Sequence, residues 1–226
     1  STWALKNATL SIHEGESVAI TGASGSGKST LLSIIGLLDQ PSEGELKILG
    51  QNMGTASDAE RTVARREHIA FVFQAYHLIA HLNATENIAH TLRMRGVPGR
   101  QAHQRALQAL EQVGLGHRLE VLPRNMSGGE QQRVAVARAL ACAPRILLCD
   151  EPTGNLDTEN SHKVLDLLLA GRAEKQSLVI ITHEPDIADR CDRQLHMVDG
   201  MLVSPELTRP EEPAHQSLKE PVVRGG

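Results

Sequence analysis

Gly22-Ala23-Ser24-Gly25-Ser26-Gly27-Lys28-Ser29 spells G-x-x-x-x-G-K-[ST], the pattern of a phosphate-binding loop. Ser17-Val18-Ala19-Ile20 before it is a short apolar run that reads as a buried strand. Thr30-Leu31-Leu32-Ser33-Ile34-Ile35 after it reads as the first turns of a helix. Strand, loop and helix together are the setting in which the pattern does chemistry. Glycines let successive N–H groups converge on one point, and the helix N-terminus adds positive potential. Residues Gly22 to Thr30 therefore form a candidate anion cradle. Lys28 can reach β- and γ-phosphates, and the Ser29 hydroxyl can ligate Mg²⁺. A glycine-rich turn matches the pattern by accident on the order of once in a hundred chains of this length. The flanking strand and helix favour a nucleoside-triphosphate site over that accident.

The 226 residues suit one large domain, or one domain with an inserted lobe. Apolar residues make up 40% and aromatics only 2%, so the core must be aliphatic. A formal charge of −4, with no Lys/Arg cluster standing out, gives no electrostatic case for nucleic acid. Three cysteines, Cys142, Cys149 and Cys191, are odd in number and lack C-x-x-C spacing, which fits a reducing compartment better than a disulfide scaffold. No apolar run has the length of a membrane span and no signal peptide is visible, so a membrane role needs a partner. The chain opens at Ser1 rather than Met, which points to a trimmed N-terminus.

Along the chain, Ala8–Ile12 alternates as a half-buried strand should, and Glu45–Gly50 alternates again. Trp3 can stack on a base, but ordinary packing is the commoner use of a tryptophan. Residues 55–67 read as a polar helix, and Ile69–Phe73 as a buried strand tipped by Gln74. Ligands gather at the carboxyl ends of strands in open α/β sheets, so Gln74 is placed to reach a bound metal, although a glutamine there is usually a plain loop residue. Asn83-Ala84-Thr85-Glu86 opens a helix over 83–95 with a capping box, and 100–113 is amphipathic. Residues 75–140 show no strand signal and read as an inserted helical lobe. Ser127-Gly128-Gly129-Glu130 precedes a helix over 130–141; it offers hydroxyl and N–H groups to an anion, or is simply a glycine-rich cap.

Ile146–Cys149 is a buried strand ending in Asp150-Glu151. In a phosphate-loop protein an aspartate there suits Mg²⁺, and the neighbouring Glu151 can orient or deprotonate a water; the pair can also cap a helix. A helix over 158–173 follows, then the strand Leu178–Thr182, tipped by His183, a candidate γ-phosphate contact. Residues 193–203 read as a hairpin turning at Asp199-Gly200. Residues 204–226 are rich in Pro and Glu and read as a tail without a fold of its own, partner docking being the second reading.

Taken in order, the phosphate loop, Gln74, Ser-Gly-Gly-Glu-Gln-Gln-Arg at 127–133, Cys-Asp-Glu-Pro-Thr-Gly-Asn-Leu-Asp at 149–157 and Thr182-His183 resemble the ATP-binding cassette (ABC) ATPases over about residues 5–203. The resemblance implies an α/β fold: a RecA-like phosphate-loop NTPase core, an antiparallel β subdomain and an inserted α-helical subdomain. It implies that Lys28 and Ser29 keep their phosphate and Mg²⁺ roles and that Gln74 is the Q-loop residue. It makes Ser127, Gly128, Gly129 and Glu130 the signature loop, facing ATP held by a second copy of the chain. Asp150 becomes the metal-linked acid and Glu151 the catalytic base. Asp157 becomes the D-loop residue at the contact between the two copies, and His183 the switch histidine. The implied working unit is a homodimer with two ATP–Mg²⁺ sandwiched between its protomers. Met126 and Glu130 stand where the family more often has Leu and Gln. The family's base-stacking aromatic lies in a strand of which this chain has little, and Trp3 is not assigned that role.

Gly36–Gly44, Phe71–Gln74, Glu86-Asn87-Ile88 and Asp150–Asp157 look like the MacB/LolD/FtsE-type branch. That branch implies a separate integral-membrane permease with few spans, engaged at the cytoplasmic face of a prokaryotic membrane through a groove near residues 75–95. An importer ATPase is the alternative. A soluble ABC-type ATPase of DNA repair or translation is disfavoured, because neither a long coiled-coil insertion nor a second cassette is present. A phosphate-loop GTPase or kinase lacks support, since no Asn-Lys-x-Asp motif occurs.

Overall fold

The computed structural model describes residues 3–203; the expected tail over 204–226 lies outside the described residues. The chain runs β1 (Ser17–Thr21), α1 (Lys28–Ile35), β2 (Lys47–Ile48), β3 (Gln51–Asn52), α2 (Asp58–His68), β4 (Ile69–Phe73), α3 (Ala84–Met94) and α4 (Gly99–Gln112). It continues through α5 (Gly128–Ala141), β5 (Ile146–Asp150), α6 (Thr158–Ala170), β6 (Ser177–Ile181), α7 (Pro185–Ala188), β7 (Arg193–Val198) and β8 (Met201–Val203).

The main sheet has the order β4-β5-β6-β1-β7-β8. Its first five strands are parallel, and β8 returns antiparallel beside β7. Parallel strands covered on both faces need apolar side chains in both directions, which is why they read as continuous apolar runs. Adjacent residues of β5 and β6 divide between two cores: Leu148 and Val179 face α1, whereas Leu147 and Leu178 face α6. The largest fully buried side chains are all leucine or isoleucine, as an aromatic-poor sequence requires. A third core belongs to α3, α4 and α5, where Ile88, Leu92, Ala106, Leu110 and Val134 meet at helical spacing.

Of two expected strands, one does not form among the described residues and the other is cut to the two residues of β2. Among the described residues Ala8–Ile12 pairs with no strand, although Leu10 and Ile12 pack against the α1-side core. Its backbone is held by side chains instead: Arg193 Nη2 donates to the Ser11 carbonyl at 2.5 Å and Ser177 Oγ to His13 at 2.9 Å. The alternation reported burial of one face, not a ladder. Glu45–Gly50 is likewise no single strand. Leu49 and Gly50 have φ of 51° and 80°, and the chain reverses there into the β2–β3 hairpin. Two successive left-handed residues are what a tight hairpin turn requires. Helix ends shift modestly as well, α5 starting at Gly128 and α6 stopping at Ala170.

Candidate nucleotide site

β1 delivers the chain to the phosphate loop and α1 carries it away. Gly22, Gly25 and Gly27 have φ of 145°, 79° and 105°, a region that side chains disfavour. A β-carbon on Gly27 would stand 2.5 Å from the Ala4 carbonyl, and one on Gly22 would collide with the Met197 carbonyl. The loop is thus wedged between the N-terminal segment and β7. Lys28 Nζ donates to the carbonyls of Gly22 and Ala23, both at 2.8 Å. Among the described residues the buried Ser26 Oγ has no hydrogen-bond partner.

A cleft of about 600 Å³ opens above the loop at the carboxyl ends of the parallel strands. Gly22, Ser24, Gly25, Gly27, Lys28, Ser29 and Thr30 line one side, and Gln74, Asp150, Glu151 and His183 the other. Each of the latter four follows or ends a strand, namely β4, β5 and β6, so the sheet register aligns them in one row. Burial pushes the Asp150 carboxyl above the ordinary range, an effect that the neighbouring Ser29 hydroxyl opposes. A half-buried acid beside a hydroxyl at a polyphosphate cradle is an oxygen-donor set suited to Mg²⁺, which compensates such desolvation. Glu151 sits at φ 46°, a strained backbone held by its N–H to the Ile181 carbonyl at 3.0 Å. Its Oε2 meets His183 Nδ1 at 2.9 Å, and that carboxylate raises the imidazole pKa.

Gln74 Nε2 donates to Asn155 Oδ1 at 3.1 Å, and Asn155 Nδ2 returns to the Gln74 carbonyl at 3.2 Å. Asn155 was not among the expected site residues, although it belongs to the Thr-Gly-Asn-Leu-Asp stretch that follows the paired acids.

Ser127, Gly128, Gly129, Glu130 and Asp157 do not line this cleft. Ser127 caps α5: its Oγ accepts from Glu130 N at 3.3 Å, and the Glu130 carboxylate accepts from Ser127 N at 2.8 Å. Arg118 also pairs with Glu130 at 2.8 Å. Within one chain Glu130 is therefore engaged in a capping box and an ion pair. Asp157 caps α6 through Asn160 N at 2.8 Å. Trp3, expected to pack, is 52% exposed and directly precedes Ala4, which lines the cleft.

A second groove, of about 470 Å³, lies between the edge strand β4 and helices α2, α3 and α5. Phe71, Phe73, Leu38 and Met94 supply apolar surface, the last two being 53% and 68% exposed. The fold gathers Arg65, Arg66, Arg95 and Arg138 around it, a clustering invisible in the linear sequence.

A parallel sheet with a phosphate loop, a strand-end acid pair and a facing histidine defines a phosphate-loop nucleoside triphosphatase. Known proteins narrow the class. The ABC transporter family matches residues 5–154. The lipoprotein-releasing system ATP-binding protein LolD of Paramagnetospirillum magneticum is 47% identical over 200 residues, 88% of each chain. LolD of Aquifex aeolicus is 45% identical over 205 residues, 91% of each. The macrolide export ATP-binding/permease protein MacB of Chlorobium phaeobacteroides is 44% identical over 211 residues, 93% of this chain but 32% of that protein. A solved dimeric ATP-binding cassette in a post-hydrolysis state, bound to ADP and Pi, superposes with a TM-score of 0.82 at 41% identity, covering 89% of both chains. This chain belongs to the ABC transporter family and is an ATP-hydrolysing member of it.

Proposed function

We propose that this chain is the ATPase component of a LolD- or MacB-like complex, in which two copies sandwich two ATP molecules and drive a separate integral-membrane permease. The cleft's polarity divides the chemistry among its residues. Lys28 leaves its two carbonyls for the β- and γ-phosphates, and the loop N–H groups bind their oxygens. Ser29, Asp150 and Gln74 are the candidate Mg²⁺ ligands; the ion, when bound, neutralises charge building on the phosphates. Glu151 orients and deprotonates the attacking water, and His183 holds Glu151 until it contacts the γ-phosphate itself. Ser127, Gly128, Gly129 and Asp157, outside the cleft of their own chain, serve the partner's ATP across the dimer interface.

The single observation that favours a membrane partner is the groove beside β4. It is apolar, rimmed by arginines, and floored by the strand that leads into Gln74. Three arginines are tied to backbone carbonyls, Arg65 to Leu37 at 2.6 Å, Arg95 to Ile69, and Arg138 to Tyr76 and His77, so the walls are preformed. Among the described residues no helix is long and apolar enough to cross a membrane. The permease would thus hold the ATPase at the cytoplasmic face, with residues 75–140 as the helical lobe that helps to grip it.

The relatives' names speak of lipoprotein release and macrolide export. Release, efflux or mechanical signalling through a permease with few spans and a large extracytoplasmic domain is the activity proposed here. Affinity capture of tagged Glu151→Gln with ATP and Mg²⁺ from solubilised host membranes tests it. Recovery of such a permease is expected. A many-span importer permease would overturn the subgroup, and soluble complexes alone would overturn the membrane role.

A further inference from the structure

Arg138 lies near the C-terminal end of α5, the helix whose N-terminus carries Ser127 and the two glycines. Its guanidinium forks onto two successive carbonyls of the segment after Gln74: Nη2 to Tyr76 at 2.8 Å and Nη1 to His77 at 2.6 Å. Tyr76 and His77 have φ of 57° and 48°, left-handed values that cost free energy in residues bearing side chains. The bend therefore depends on support from outside itself. Tyr76 also reaches the other end of α5, since a β-carbon on Gly128 would lie 2.8 Å from its hydroxyl. From the opposite side, Asn155 exchanges two hydrogen bonds with Gln74. Gly154 leaves the space that Gln74 fills, because a β-carbon there would stand 2.7 Å from Gln74 Nε2.

We propose that Arg138 is a positioning residue for Gln74, its fork on two successive carbonyls fixing the left-handed 76–77 bend that sets where Gln74 lies. Any shift of α5 would carry the 76–77 bend with it and move Gln74 relative to Asn155. Arg138 also lines the second groove, so an occupant of that groove would bear on the same fork. The proposal rests on the reading of Gln74 as a metal ligand given above.

Arg138→Lys keeps the charge but loses the fork that spans two carbonyls. Hydrogen exchange on the nucleotide-free protein should then accelerate about tenfold or more at amides 74–79, with the sheet amides unchanged. Turnover should fall by about ten- to a hundredfold, since small misplacements of a cleft residue cost that much, while KM for ATP stays and half-saturating Mg²⁺ rises. Gln74→Ala combined with Arg138→Lys should be no slower than Gln74→Ala alone. If Arg138→Lys loses its cooperative melt, Arg138→Gln, which retains an amide donor, carries the same cycle. Unchanged exchange at 74–79, or losses of turnover that multiply, would overturn the proposal. Wild-type turnover and Mg²⁺ dependence in Gln74→Ala would instead sink the metal-ligand reading, and the positioning proposal with it.

Discussion

His183 and Glu151 form the most informative pair in the cleft, because each alters what the other can do. The imidazole donates or accepts at Nδ1 across 2.9 Å, and the carboxylate lifts its pKa above the ordinary 6.5. A raised histidine pKa means the charged pair is complete below that ordinary value and is lost as pH climbs through the raised one. A proton-resolved titration of His183 should therefore show a midpoint above 6.5 that falls back toward it in Glu151→Gln. A midpoint that ignores the substitution would show that the pair does not form in solution. At this scale the sequence was legible wherever a residue's place in the cleft follows from its position at a strand end. Asp150, Glu151 and His183 were findable because an apolar run ends at each. The partners of Glu130 within the chain were not legible: the capping geometry with Ser127 and the approach of Arg118 reveal where its carboxylate goes. Trp3 also misled, since nothing local to its sequence says which surface the N-terminal segment crosses.

Among the elements, α3 shows how a local signal and a tertiary one combine. Asn83 and Glu86 form the capping box that their spacing predicts, each accepting from the other's backbone N–H at 2.8–2.9 Å. One turn on, Asn87 is buried and uses its whole amide. It accepts from Ile79 N at 2.7 Å and donates to the Ile79, Leu82 and Asn83 carbonyls. Asn87→Ala should destabilise the protein by about 1–3 kcal/mol, the cost of leaving such buried backbone groups unsatisfied, measured by denaturant unfolding. A change below about 0.5 kcal/mol, the usual range for surface substitutions, would mean that water replaces the amide. The parallel strands were legible because burial on both faces makes them continuously apolar. The β2–β3 hairpin was not, since Leu49 extended the apparent alternation into a position whose backbone is left-handed. Ala8–Ile12 failed for a related reason: period-two burial is compatible with an extended segment that has no strand partner.

At the scale of the whole molecule, one chain gathers the phosphate loop, the acids and the histidine into a single cleft but leaves the Ser127 cap outside it. The second groove, assembled from α2, β4, α3 and α5, could not be read from sequence because its residues come from four separate elements. Dimerisation around ATP is the step that would complete the cleft, and hydrolysis the step that would release it. Glu151→Gln tests both at once, since it removes the proposed base while leaving the phosphate loop intact. In the presence of ATP and Mg²⁺, light scattering coupled to gel filtration should find this variant at twice the chain mass, 24.5 kDa per chain. Its turnover should fall by about a hundredfold or more, as loss of a general base predicts. A variant that stays at the mass of one chain, or hydrolyses ATP at the wild-type rate, would contradict the account.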